Sequence, residues 1–205
     1  MGFVLFYIPG VAYRRTAQRH FSLRFPDRSG DLWDSSRAWQ SRLAPSRPRH
    51  SASVNLMMRH MEWGCALYRA LQDDGVDRAE AGSLVESIMS DVYRPVPSVL
   101  YKISRLRSSR HATRVEWLLL RVISRRVFSA PFVHRYLDSD DGVAWDVTCC
   151  PFADYFVEQG VPELTPHAAC NLDHRAAEAI GVELVRTQTI AEGAEHCDFR
   201  WKIPA

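Results

Sequence analysis

The hydrophobic period of this chain changes once, near residue 130, and that change limits the folds open to it. Upstream, Leu56, His60, Trp63, Leu67 and Leu71 recur at helical spacing, and the "DDG" at 73–75 closes the segment. Asp77 then offers an N-cap for a second helix to about Val92, which Pro95 and Pro97 stop. The stretch 98–128 reads as helix interrupted near "RSSRHA", with an apolar face and a solvated Arg face in its second half. Downstream, "FVHRYL" at 132–137 and "VAWDVTC" at 143–149 alternate with period two around "DSDDG", the pattern of a hairpin. A short helix at about 151–159 ends at Gly160. Another runs from Thr165 as N-cap, through Pro166 at its first position, to Gly181 as its stop. "VELVRTQTI" at 182–190 and "CDFRWKI" at 197–203 supply two more strands. Helices first and antiparallel strands after predict an α+β fold, with N-terminal helices packed on one face of a small sheet.

Residues 1–50 stand apart. They lack sustained periodicity and are rich in Pro, Ser and Arg, as in "RLAPSRPRHSAS", so an irregular basic extension is expected, followed by one domain over 51–205. The extension holds nine Arg and three Asp, a net of +6. A whole-chain charge of +2 then leaves −4 for the domain. A mildly acidic domain predicts no nucleic-acid surface. A membrane role is not predicted either. The opening "FVLFYIPGVAY" is too short to span a bilayer, no cation precedes it, and no cleavage site follows. The five cysteines are Cys65, Cys149, Cys150, Cys170 and Cys197; an odd count suits free thiols in a reducing, cytoplasmic compartment.

Three stretches carry chemistry. In "VTCCPFADYF", Pro151 suits the first position of a helix, which puts Cys150 at the N-cap. There its sulfur would face unpaired backbone N–H groups and the positive end of the helix dipole, an environment that lowers a thiol pKa from about 8.5. Strand alternation sends Cys149 to the opposite side. Asp154, one turn on, is placed to orient a substrate amine or a water. In "HAACNLDH", helical spacing gathers His167, Cys170 and His174 on one face with Asp173 beside it. That face is either catalytic, with Asp173 as general base, or part of a zinc site made by Cys150, Cys170 and Cys197. In "TQTIAEGAEHCDFRW", Glu192 sits in a Gly-containing turn, and alternation turns Cys197, Phe199 and Trp201 inward while Arg200 faces solvent or an acidic neighbour. The bland reading is that Cys150 is a small buried filler and both histidines are helix-surface residues.

From Trp145 to Lys202 the chain resembles the L-2-amino-thiazoline-4-carboxylic acid hydrolase family. The resemblance rests on "CPFADYF" at 150–156, "GVPEL" at 160–164, C-x-x-D at 170–173, and "RTQTIAEG" with "CDFR" at 186–200. It implies hydrolysis of a small cyclic amidine to a carbamoyl-cysteine, a bacterial reaction with no cofactor, or action on a related heterocycle of secondary metabolism. Cys150, Cys170, Asp173, Glu192 and Cys197 fall on the family's recurrent polar positions. The chemistry assigns catalysis to Cys150, Asp173 and Glu192, and substrate binding to Asp154, Cys170, Cys197 and His167. The doubled Cys149–Cys150 departs from the family pattern and leaves open which thiol acts. The rival reading is a non-catalytic small-molecule- or metal-binding module, since the final Glu turn and Cys strand also resemble vinyl-reductase-type (V4R) domains.

Overall fold

The computed structural model describes residues 9–43 and 50–204. Helices α1 (Pro9–Arg24) and α2 (Ser29–Leu43) come first, joined by a 3-10 turn at Pro26–Arg28. They correct the expectation of an irregular extension. Tyr13, Ala17 and Phe21 lie four residues apart and are fully buried; Leu32, Trp33 and Leu43 anchor α2. So narrow a stripe, diluted by arginine, does not read as periodic alone. Docking against the next helix stabilises it, as is usual for protein helices. The Trp63 ring stacks with Tyr13 (5.5 Å) and Trp33 (5.4 Å). The basic charge of this segment is met by the acidic remainder of the chain: Arg24 pairs with Glu80 at 2.6 Å, Arg28 with Asp74 at 2.7 Å, and Arg19 with Asp91. Residues 1–8 and 44–49 of the expected extension lie outside the described residues.

Helix α3 (Ala52–Asp73) opens on Ser51, whose hydroxyl accepts from the Val54 amide. From Met61 to Tyr68 its residues are all buried, as befits a helix surrounded by others. Helix α4 (Arg78–Tyr93) is capped by Asp77, whose carboxylate accepts from the Ala79 amide at 2.9 Å. Helix α5 (Pro95–Ile103) and helix α6 (His111–Trp117) flank the expected interruption, and α6 continues as a π-helical run over Leu118–Val127.

Strands β1 (Val133–Leu137) and β2 (Gly142–Cys149) form the expected hairpin, followed by α7 (Pro151–Glu158). Thr165 does not cap the next helix. It is buried and already helical, and the chain enters from a 3-10 turn at Pro162–Leu164 into a π-turn at Pro166–Cys170. Helix α8 (Asn171–Ile180) ends at Gly181, whose φ of 75° is left-handed and suits glycine. Strand β3 covers only Glu183–Val185, and β4 covers Cys197–Lys202. Residues 186–190 leave the ladder because the Thr187 and Gln188 amides donate to the Asp198 carboxylate, at 2.9 and 2.8 Å. The sheet is antiparallel throughout, in the order β1-β2-β4-β3.

Register sorts the sheet into two faces. Trp145 lies opposite Tyr136 and Phe199, Val147 opposite His134 and Cys197, and Val143 opposite Trp201. The alternate positions put Asp146 opposite Arg135 and Asp198 on the other face. Two apolar cores result. One gathers α1–α4 with α7; the other joins the inner sheet face to α6, its π-helical extension and α8. Phe132 and Cys150 pack against both. The fold class is therefore the expected α+β, with helices packed on a small antiparallel sheet. No helix among the described residues is long and apolar enough to cross a membrane.

Candidate active site

A cavity of about 100 Å³ lies at the seam of the two cores. Cys150, Cys170, Asp173, Arg186 and Cys197 come together in its lining, each within electrostatic reach of others of the group. Each arrives by a different route. Cys150 is the N-cap of α7, with extended backbone (φ −125°, ψ 101°) because Pro151 starts the helix. Cys170 closes the π-turn, and Asp173 sits in the first turn of α8. Cys197 begins β4, where its sulfur accepts the Ile190 amide at 3.2 Å. Both π-helical stretches reach the cavity, through Ile123 and through Ala169–Cys170. Such stretches recur at functional sites because the widened turn re-aims side chains.

The Cys150 thiol meets the expected helix amides but not the expected acidity. Burial pushes it up to about 12, and the backbone N–H groups of Ala153 and Phe152 recover only part of that; nearby Cys197 and Asp173 add to the rise. The expectation of a lowered pKa is thus corrected. An eight-residue helix supplies a weak dipole, and the loss of water around the sulfur outweighs it. Burial raises the Cys170 thiol as well, with Asp173 adding to it, and raises that of Cys197. At neutral pH these sulfurs are protonated.

Asp173 is the other unusual group. Arg186 Nη1 donates to its Oδ2 at 2.8 Å, and Arg186 Nη2 donates to the Cys170 carbonyl at 2.9 Å. Burial still raises the Asp173 carboxyl to about 6, with the guanidinium pulling against it. A quarter of the side chain (24%) remains open, whereas Arg186 is only 4% exposed. Asp173 lines the cavity, so its open surface meets a partly enclosed, mostly apolar space. This explains how a partly accessible carboxyl feels an apolar medium. Arg186 also lies over the Phe199 ring, 5.1 Å from its centroid.

The structure separates the other candidates from this cluster. Cys149 and the exposed Asp154 sit together outside the cavity, where Asp154 helps to raise the Cys149 thiol. His167 Nδ1 pairs with Glu86 at 2.8 Å and packs on Gly82, where a Cβ would meet the imidazole at 2.8 Å. The i→i+5 spacing of the π-turn swings His167 off the Cys170 face that an α-helix would give it. Glu192 is exposed and accepts from the Thr189 hydroxyl at 2.7 Å, while its amide donates back to Thr189 Oγ1 at 3.2 Å. Thr189 is therefore the side-chain cap of a 3-10 turn, and Glu192 is held by the cap's own hydroxyl. Arg200 points to an acidic neighbour as expected, donating to Asp146 at 2.8 Å. Among the described residues, no three His, Cys, Asp or Glu side chains gather as metal ligands.

Sequence reasoning missed Arg186 and the aromatic wall. Alternation continued from the inward Leu184 would have turned Arg186 inward, but the residue registered only as part of a motif. His60, part of the apolar stripe read from the sequence, is buried, with the Tyr13 hydroxyl 3.1 Å from its Nδ1, and it also borders the cavity.

A match to the family described as L-2-amino-thiazoline-4-carboxylic acid hydrolase covers residues 56–201, well over half of the chain. The chain belongs to this family. The L-2-amino-thiazoline-4-carboxylic acid hydrolase match spans both sides of the cavity, from α3 through β4, so the helical region belongs to the family unit as fully as the cysteine motifs do. No curated protein and no solved structure matches the chain.

Proposed function

We propose that the chain is a hydrolase that opens a small cyclic amidine, of which 2-amino-thiazoline-4-carboxylate is the type. The observation that carries the reading is that Cys150 and Asp173 line one cavity, with the Asp173 carboxyl raised to about 6. A carboxyl so tuned is ionised at neutral pH yet basic enough to accept a proton.

The amidine carbon, bonded to sulfur and two nitrogens, is the electrophile. Asp173 takes the proton from Cys150 as its sulfur bonds to that carbon. The ring carbon–sulfur bond then breaks, and the departing sulfur receives the proton from Asp173. The product stays attached to Cys150 as an isothiourea. Water adds to the same carbon, giving a proton to Asp173; the Cys150 carbon–sulfur bond breaks and the proton returns to Cys150. One water is consumed and a carbamoyl thiol is released. A high thiol pKa suits this sequence, because sulfur need not be ionised before substrate arrives. Arg186 fixes the carboxylate, and the Phe152 and Ala153 amides face the sulfur as charge moves across it. The reaction needs no cofactor, and free cysteines suit a reducing cytoplasm.

The test is ring opening of 2-amino-2-thiazolines, with and without the 4-carboxylate, followed by mass spectrometry. Cys150→Ser and Asp173→Asn should each lose turnover while remaining folded; unchanged turnover in Cys150→Ser would remove the covalent route.

A further inference from the structure

Most of the cavity lining is apolar and aromatic. An edge-to-face cluster of Phe128, Phe132 and Phe152, with centroids 5.0–6.1 Å apart, lines it together with Trp145 and His134. Met57, Met61 and Met89 line it from the helical side. Among the described residues lining it, the charged side chains are Asp173 and Arg186. The two histidines do not add a cation. Burial lowers His60 to about 4 and lowers His134 as well.

Charge accounting then constrains the ligand. Arg186 spends one nitrogen on Asp173 and another on the Cys170 carbonyl, and its side chain is 4% exposed. It has almost no free surface for a second anion. A carboxylate on the substrate ring would meet no free cation in the cavity; among the described residues the buried Trp201 Nε1, an N–H without an acceptor, offers it only a neutral donor. An amidine needs no such partner beyond the open quarter of Asp173. A space of about 100 Å³ favours a compact ligand.

Building on the hydrolase reading, we infer that the substrate is a cyclic amidine with no carboxylate, carrying a small apolar substituent where the type compound has its carboxylate. The Phe128–Phe132–Phe152 cluster holds that substituent while the amidine meets Asp173 and Cys150. The family's eponymous carboxylate would on this view be a poor ligand for this chain.

The experiment compares two probes of equal size, 2-amino-4-isopropyl-2-thiazoline and 2-amino-2-thiazoline-4-carboxylate, on the full-length protein. Thermal-shift titration reads binding and product mass spectrometry reads kcat/KM. The isopropyl compound should bind and turn over about tenfold better or more, the discrimination that desolvating an unpaired carboxylate provides. Equal or better binding of the carboxylate overturns the inference. If the isopropyl compound binds better yet neither ring opens, the substrate class stands and the hydrolase reading falls. If both open with the carboxylate preferred, the hydrolase reading stands and the substrate class falls.

Discussion

Two faces of one small sheet hold carboxylates away from water, and they treat them in opposite ways. On the outer face, Asp146 has a side chain only 2% exposed, and Arg135 and Arg200 donate to it at 2.5 and 2.8 Å. Burial alone would raise its carboxyl, but those hydrogen bonds win and hold it below the usual range. Asp198, directly opposite on β4, accepts the Thr187 hydroxyl and two amides and is lowered in the same way. On the cavity side, Asp173 has Arg186 alone, and burial wins. The difference teaches what separates a structural acid from a working one. A carboxylate whose lone pairs are filled has nothing left to offer a substrate, whereas one left under-satisfied beside a cavity does. The signs also differ with pH. The depressed acids contribute stability above the ordinary carboxylate range and lose it as pH falls through their folded values. Asp173 binds its proton more tightly when folded, so it costs stability as pH rises from about 4 to about 6.

The contrast breaks most visibly under mutation. Asp173→Asn should lower kcat per folded molecule by about 10²–10⁴-fold, the range for a general base, and lower stability as well, because the buried Arg186 loses its anion. Asp146→Asn should leave turnover per folded molecule within about threefold; a loss like that of Asp173→Asn would show the two faces to be functionally alike. Asp146→Ala should cost about 2–3 kcal/mol in urea unfolding, the scale for hydrogen bonds to a charged group, because both guanidiniums lose their acceptor.

A pH profile sharpens the comparison. With Asp173 as base, kcat/KM should climb through about pH 6 and level off above it. Arg186→Gln removes the cation that pulls this carboxyl down, so the midpoint should move up by about one unit or more. A profile that stays put in Arg186→Gln would mean that another group titrates. Smaller still is the labelling of thiols. Iodoacetamide at neutral pH should modify Cys149 before Cys150, because burial leaves far less thiolate at Cys150. Peptide mapping after partial labelling reads this order. Smallest is Glu192→Ala, which should change turnover by less than about threefold and stability by less than about 1 kcal/mol, because the Thr189 cap remains.

The architecture was legible wherever period and punctuation agreed. Asp77 as cap, Gly160 and Gly181 as stops, and the 132–149 hairpin all follow from local rules that tertiary contacts did not override. Residues 9–43 were not legible, because a buried stripe one residue wide acquires meaning only against Trp63, contributed by a helix further along the chain. At the site, inward alternation found Cys197, and the Pro151 signal found Cys150. His167 was misplaced because the α-helical facing rule was applied to a π-turn. The acidity of Cys150 was misjudged because a cap can be read from sequence while burial cannot. Glu192 looked exposed to a cavity when "TIAE" already spelled out a cap.

Rapid-quench intact mass spectrometry during turnover of a 2-amino-2-thiazoline addresses the shared chemistry of Cys150 and Asp173 most directly. The protein should gain the mass of the ring-opened isothiourea, mapped to Cys150 and absent in Cys150→Ser, with the adduct decaying as product forms. Turnover by Cys150→Ser at the wild-type rate with no adduct on either protein would contradict the account.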